Sequence, residues 1–177
     1  MFYPKTVPEM KTFLRSIDFK YFPVITIIIY VPFHLLEEAL NNFPLWMSTH
    51  YNLPKVLSYP HWLINNGFFF LTLLAGLAIF LSNKARFVAF GIGILVWALM
   101  NSLEHILFTI IDLKISPGFY SAILFLSISL LGFTKLYFDK SLRIKLVLQS
   151  VLIGIGYWVI PISMILLTGN YWVKVFP

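Results

Sequence analysis

Five apolar runs, each long enough to cross a bilayer as a helix, are separated along the chain by short polar or proline-containing segments. A membrane-spanning helix needs roughly 20 residues, and all five runs meet that length. The predicted spans are residues 21–41, 62–81, 87–111, 119–138 and 144–167. This pattern predicts an all-α polytopic membrane helix bundle with about five transmembrane helices.

The segments between the spans are short, which predicts one membrane-embedded domain over residues 1–177. Residues 1–20 are basic and partly amphipathic, as in a helix that lies at the membrane surface. The first apolar run ends in polar residues without a small-residue cleavage site, so we expect it to be retained as a span. Ser116 and Pro117 predict an N-cap and first residue for the fourth helix.

Residues 42–61 form the one long connection. Its three prolines predict breaks in helical structure, and its aromatic residues suit the membrane interface. We expect Trp46 and Trp62 to anchor the chain at that interface. We expect His50 and His61 to be solvated loop residues.

Composition agrees with a membrane protein and excludes several classes. Hydrophobic residues make up 59% of the chain and charged residues 11%, whereas about a quarter of a soluble domain is charged. There is no cysteine, so disulfides and thiolate chemistry are excluded. The net charge of +6 does not indicate a nucleic-acid partner, because the basic residues lie in short segments between apolar runs.

The distribution of the 13 lysines and arginines predicts the orientation. Ten lie on the side that holds the N-terminal segment and the connections after spans two and four; the other three are Lys55, Lys114 and Lys174. The positive-inside rule then places the N-terminus in the cytoplasm and the C-terminus outside. We expect a multi-pass protein of a cell membrane, of the bacterial plasma-membrane type.

Span one carries a histidine and two adjacent carboxylates in an otherwise apolar helix. His34, Glu37 and Glu38 are spaced i, i+3 and i+4, which places them on one helical face. An acidic residue at the centre of a membrane helix costs about 2.5–3.5 kcal/mol on insertion scales, so such residues usually have a functional reason.

Span three carries a second polar face. Asn101, Glu104 and His105 repeat the i, i+3 and i+4 spacing. At about 1.5 Å per residue, His34 and Asn101 lie roughly 20 Å from the cytoplasmic starts of their spans. The two faces should therefore meet at one depth in the outer leaflet. Asn65 and Asn66 should enter the same layer, and Tyr30 and Trp97, one turn below, should form its floor.

Imidazole and carboxylate groups between helices are the ligands of zinc, iron or manganese sites. A further glutamate would serve as general base for water, and the asparagine would orient a substrate carbonyl. We expect no other cofactor. The expected metal ligands are His34, Glu38, Glu104 and His105. The expected catalytic residues are Glu37, Glu38, Asn101 and Glu104.

These residues resemble the membrane family named for its H-x-x-E-E motif, the HXXEE domain family. His34-Leu35-Leu36-Glu37-Glu38 matches the name, Pro44-Leu45-Trp46 fits a Pro-x-Trp tendency, and Ser116-Pro117-Gly118 before an apolar span also fits. Asn101 and His105 match the family's further polar residues. The resemblance covers the chain from span one to span four. It implies an integral membrane enzyme of unestablished reaction, with the motif residues, Asn101 and His105 at its site.

The reaction predicted first is metal-dependent hydrolysis of a membrane lipid or lipid-linked substrate. One alternative is a metal-free acid–base lipid isomerase, similar to the five-span sterol isomerase group. Others are a proton-coupled carrier or lipid-binding protein, a redox iron enzyme, and purely structural pairing of the two polar faces. The sequence leaves the substrate, the metal and the oligomeric state open.

Overall fold

The computed structural model describes residues 7–51, 58–82 and 84–175. These residues form seven helices and no strand, which confirms the all-α prediction. The helices are α1 (Val7–Ser16), α2 (Tyr21–Leu40), α3 (Phe43–Tyr51), α4 (Tyr59–Leu81), α5 (Val88–Asp112), α6 (Phe119–Phe138) and α7 (Ile144–Val175).

Five of these helices, α2 and α4 to α7, are long and apolar enough to cross a membrane, as the sequence predicted. Their outward faces carry large exposed apolar side chains such as Leu36, Leu131 and Leu152. Such faces suit contact with lipid rather than water. Helix α7 runs without interruption through Pro161 and extends beyond the predicted end of span five.

The connection predicted over residues 42–61 differs from expectation, because it contains helix α3 and the first turn of α4. Pro44 and Pro60 lie in the first turns of these helices, where a backbone N–H has no intrahelical partner and its loss costs little. These two prolines therefore begin helices instead of breaking them. Pro54 lies outside the described residues.

Helix α5 is central and packs most extensively against α7 and α6. Glycines allow the close approach to α7: a Cβ at Gly154 would meet Val96, and one at Gly93 would meet Ile153. On the other side, the Ser129 hydroxyl of α6 donates to the carbonyl oxygen of Leu95 at 3.0 Å and so links α6 to α5.

Helix α1 docks against the end of the bundle. Leu14, 2% exposed, packs with Phe22 and Leu95. The Arg15 guanidinium donates to the carbonyl oxygen of Phe138 at 2.9 Å, and the Lys135 ammonium donates to that of Arg15 at 3.1 Å. The basic N-terminal segment and the basic end of α6 therefore share one end of the molecule, as the charge distribution requires.

The start of α6 corrects another prediction. The N-cap is Gly118, with a left-handed φ of 88°, and not Ser116. The Ser116 hydroxyl turns back to α5 instead and donates to the carbonyl oxygen of His105 at 3.0 Å. The side chain that caps the first N–H groups of α6 is Glu37 of α2.

Candidate metal centre

His34 of α2, Glu38 of α2 and His105 of α5 converge inside the bundle. The Glu38 Oε1 atom lies 3.6 Å from Nε2 of His34 and 3.4 Å from Nε2 of His105. The three side chains are almost fully buried, with exposed fractions of 1%, 4% and 1%. Their ligand atoms lie within 4.8 Å of one another, so this group could hold a metal ion.

The contact between the two histidines confirms that the polar faces of spans one and three meet. The ring centroids of His34 and His105 are 5.0 Å apart, and the rings are nearly perpendicular. This arrangement directs both Nε2 atoms at one carboxylate.

The outer nitrogens of both rings meet serines. Nδ1 of His34 lies 2.9 Å from the Ser121 hydroxyl oxygen, and Nδ1 of His105 lies 3.5 Å from that of Ser116. The single hydroxyl proton of Ser121 has two acceptors nearby, Glu37 Oε2 at 2.6 Å and the Gly118 carbonyl oxygen at 3.0 Å, so the hydroxyl oxygen is left to accept from Nδ1–H of His34. We infer that His34 carries its proton on Nδ1 and presents the Nε2 lone pair inward, as a metal-ligating histidine does.

Glu38 is fixed by a hydrogen bond from outside α2. The Trp62 indole of α4 donates to Glu38 Oε2 at 3.1 Å, which leaves Oε1 facing the two imidazoles. The expectation that Trp62 anchors the chain at the membrane interface is wrong, because the side chain is only 3% exposed and lies inside the bundle.

Glu37 points away from the centre, although it neighbours Glu38. Its carboxylate accepts from the backbone N–H groups of Tyr120 at 2.9 Å and Ser121 at 2.8 Å. These N–H groups open α6, so Glu37 caps that helix and places a negative charge at its positive end. The structure thus separates the two carboxylates that the sequence grouped as catalytic.

A π-helical turn at Tyr30–Leu35 interrupts α2 at this site and contains His34. Pro32, within it, has no N–H to donate and disfavours a regular helical turn. Single π-helical turns within α-helices are frequent at functional sites. The sequence contained the signal, a proline two residues before the histidine, but the prediction of span one did not use it.

Gly118 closes one side of the centre. A Cβ at this position would lie 2.6 Å from Cε1 of His105 and 3.1 Å from Cγ of Glu38. The backbone there is also left-handed. Both the space and the conformation therefore require glycine.

The centre opens on a cavity of about 440 Å³. Tyr30 and Trp97 line it as predicted, with their rings packed edge to face at 5.1 Å. Asn65 and Asn66 also line it, and Tyr30 donates to the Asn66 amide oxygen at 2.7 Å.

Asn101 and Glu104, both predicted site residues of α5, lie on the wall of this cavity. Glu104 is not one of the three converging ligands. His61 also lines the cavity; it is half-buried and lies in the first turn of α4, so the expectation that it lies in a loop is wrong. His50 is exposed, as expected.

No family model, no curated protein and no solved structure matches the chain. The interpretation of the site therefore depends on the chemistry and geometry of its own residues.

Proposed function

We propose that this protein is an integral membrane enzyme that uses a divalent metal held by His34, Glu38 and His105. One observation carries the proposal: two imidazole Nε2 atoms and a carboxylate oxygen converge beside an open cavity. Three nitrogen and oxygen ligands with an open position are typical of catalytic metal sites, and suit zinc, iron or manganese.

The proposed reaction is hydrolysis of a lipid or lipid-linked substrate. A divalent ion supplies Lewis-acid activation of water or of a carbonyl group. Glu104, on the cavity wall beside His105, would take the proton from the attacking water. Asn101, one turn earlier on α5, would orient the substrate carbonyl. Glu37 would act only by positioning, through Ser121 and His34.

The surroundings support a substrate from the bilayer. The cavity lies within the apolar bundle, and residues of α7 such as Ile162, Ile165 and Leu166 form part of its wall. By the positive-inside rule, the site faces the outer leaflet of a plasma membrane. The resemblance to the HXXEE domain family also favours an integral membrane enzyme, and membership of that family stays a prediction.

Metal content of the purified protein tests the proposal. We expect about one transition-metal ion per chain in the wild type, and its loss from His34→Ala and His105→Ala. His61→Ala is the matched control, since this histidine lines the same cavity but lies outside the centre. A folded wild-type protein that takes up no metal would refute the proposal.

A metal-free acid–base lipid isomerase is the second candidate. Glu38 Oε1 lies between two imidazole nitrogens, at 3.6 and 3.4 Å, an arrangement that can also share a proton. Lipid turnover that survives strong chelators, with no metal left in the sample, would favour this candidate over the first.

A further inference from the structure

Four buried polar atoms on the cavity wall lack a hydrogen-bond partner. They are Oδ1 of Asn65, Nε1 of Trp97, Oδ1 of Asn101 and Nε1 of Trp158. Within the described ranges these are the only such side-chain atoms, and all four residues line one cavity. Buried polar groups normally find partners, so polar atoms of a ligand or of water complete this part of the cavity.

Asn66 lines the same cavity, and its side-chain amide has hydrogen-bond partners within the protein. It accepts from the Tyr30 hydroxyl at 2.7 Å and donates to the carbonyl oxygen of Trp62 at 3.0 Å. The four unpaired atoms therefore do not reflect a general shortage of partners in this part of the bundle.

The unpaired atoms are two indole donors and two amide acceptors. Trp97 and Asn101 are spaced i, i+4 on α5, which places an indole N–H and an amide oxygen on one face as a donor–acceptor pair. Asn65 lies one turn from Phe69 on α4, and the Phe69 ring contacts those of Trp158 and Trp97 at 5.4 and 6.2 Å. Asn65 and Trp158 therefore supply a further acceptor and donor on the same cavity wall.

A hydroxyl group matches such a pair, because its oxygen accepts from the indole while its proton is donated to the amide oxygen. A phosphate or carboxylate only accepts and would leave the amide oxygens unpaired. In the metal-free protein, the charge of the cavity also disfavours an anion. Its described lining includes Glu38 and Glu104 but neither lysine nor arginine.

We propose that the cavity binds a neutral apolar alcohol, a lipid whose head carries a free hydroxyl group. The hydroxyl is held between Trp97 and Asn101, and Trp158 and Asn65 offer a further donor and acceptor on the same wall. The cavity volume of about 440 Å³ suits a ligand of this kind. The inference rests on the proposed function and names its substrate class, but the binding itself requires no metal.

Native mass spectrometry of the intact protein with EDTA present tests this binding separately from the metal centre. The probes are dioleoylglycerol and cholesterol, which represent glyceride and sterol sources of the alcohol, and dioleoyl phosphatidic acid, which adds a phosphate to the first. We expect at least one alcohol to bind about tenfold more tightly than phosphatidic acid. Equal or tighter binding of phosphatidic acid, or no binding of either alcohol, would overturn the proposal.

Variants locate the hydroxyl site. Asn101→Leu and Trp97→Phe should each weaken alcohol binding about tenfold, as expected for one lost hydrogen bond. Asn101→Leu should also leave the melting temperature of the ligand-free protein unchanged or higher, because it removes an unpaired buried atom. Trp158→Phe, at a half-buried position, provides the same test if the Trp97 variant does not fold.

Two controls separate this role from a structural one. Trp46→Phe, outside the described lining of this cavity, should not change binding. Asn66→Leu should lower the melting temperature of the ligand-free protein, because it leaves the Tyr30 hydroxyl unpaired. Wild-type affinity in folded Asn101→Leu and Trp158→Phe would refute the hydroxyl site.

Discussion

The separation of Glu37 from Glu38 predicts that replacing each carboxylate has a different effect. Glu37→Ala removes the acceptor for the N–H groups of Tyr120 and Ser121 and for the Ser121 hydroxyl, at 2.9, 2.8 and 2.6 Å. Glu38→Gln keeps nearly the same shape but removes the charge that lies between the two histidines. We expect the first change to lower stability and the second to lower metal binding.

The magnitude for Glu37→Ala follows from its three contacts. Loss of a helix N-cap costs about 1 kcal/mol, and loss of a charge at the helix N-terminus costs about 0.3–1 kcal/mol. The hydroxyl bond contributes about 0.5–1.5 kcal/mol more. Because Glu37 is partly exposed and water can replace some of these bonds, we expect a total of about 2–3 kcal/mol. Glu37→Gln keeps one oxygen acceptor and should lose about 1 kcal/mol.

Thermal unfolding in detergent, monitored by circular dichroism, measures this loss. For a chain of this length, about 2–3 kcal/mol corresponds to a melting temperature lower by about 4–12 °C. At saturating zinc the Glu37→Ala variant should still bind one ion per chain, whereas Glu38→Gln should not. An unchanged melting temperature combined with loss of metal in Glu37→Ala would refute the assignment of Glu37 as a cap.

Three further predictions concern the centre. Trp62→Phe removes the donor to Glu38 Oε2, so zinc affinity measured by calorimetry should fall about tenfold, as for other changes around metal ligands. Gly118→Ala places a Cβ 2.6 Å from the His105 ring, at a position with left-handed backbone. This change should lower the free energy of unfolding by about 1–3 kcal/mol and should also weaken metal binding. Zinc at 100 times its dissociation constant should stabilise the wild-type protein by about 2.7 kcal/mol relative to the chelated protein, and this gain should vanish in His34→Ala.

Each of these has a clear contrary outcome. Unchanged zinc affinity in Trp62→Phe would show that Glu38 needs no orienting donor. A Gly118→Ala protein with wild-type melting temperature and zinc affinity would show that the start of α6 does not pack closely against the centre. Equal zinc stabilisation in wild type and His34→Ala would place the bound ion elsewhere.

That the polar faces of spans one and three meet could be predicted from the sequence, because it follows from counting residues along each helix. A rise of about 1.5 Å per residue, counted from the starts of spans one and three, places His34 level with Asn101, one turn from His105. The position of Tyr30 and Trp97 in the cavity wall, one turn from His34 and Asn101, follows from the same residue count. These features depend on each helix alone and on the membrane that aligns them.

The different orientations of Glu37 and Glu38 could not be predicted in this way, since the i+3 and i+4 positions share one face. The π-helical turn around Pro32 and the place where α6 begins determine which carboxylate enters the centre. The supporting residue Trp62 comes from α4, and Ser116 and Ser121 come from the segment where α6 begins. Their roles depend on tertiary packing, which spacing within one helix does not encode.

The most direct test of the proposed metal centre is anomalous X-ray diffraction from crystals of the purified protein grown with zinc, with data collected at the zinc edge. We expect one strong peak between Nε2 of His34, Nε2 of His105 and the Glu38 carboxylate, about 2.0–2.2 Å from each. A well-ordered His34–Glu38–His105 group without an anomalous peak, or a zinc ion bound only elsewhere, would contradict it.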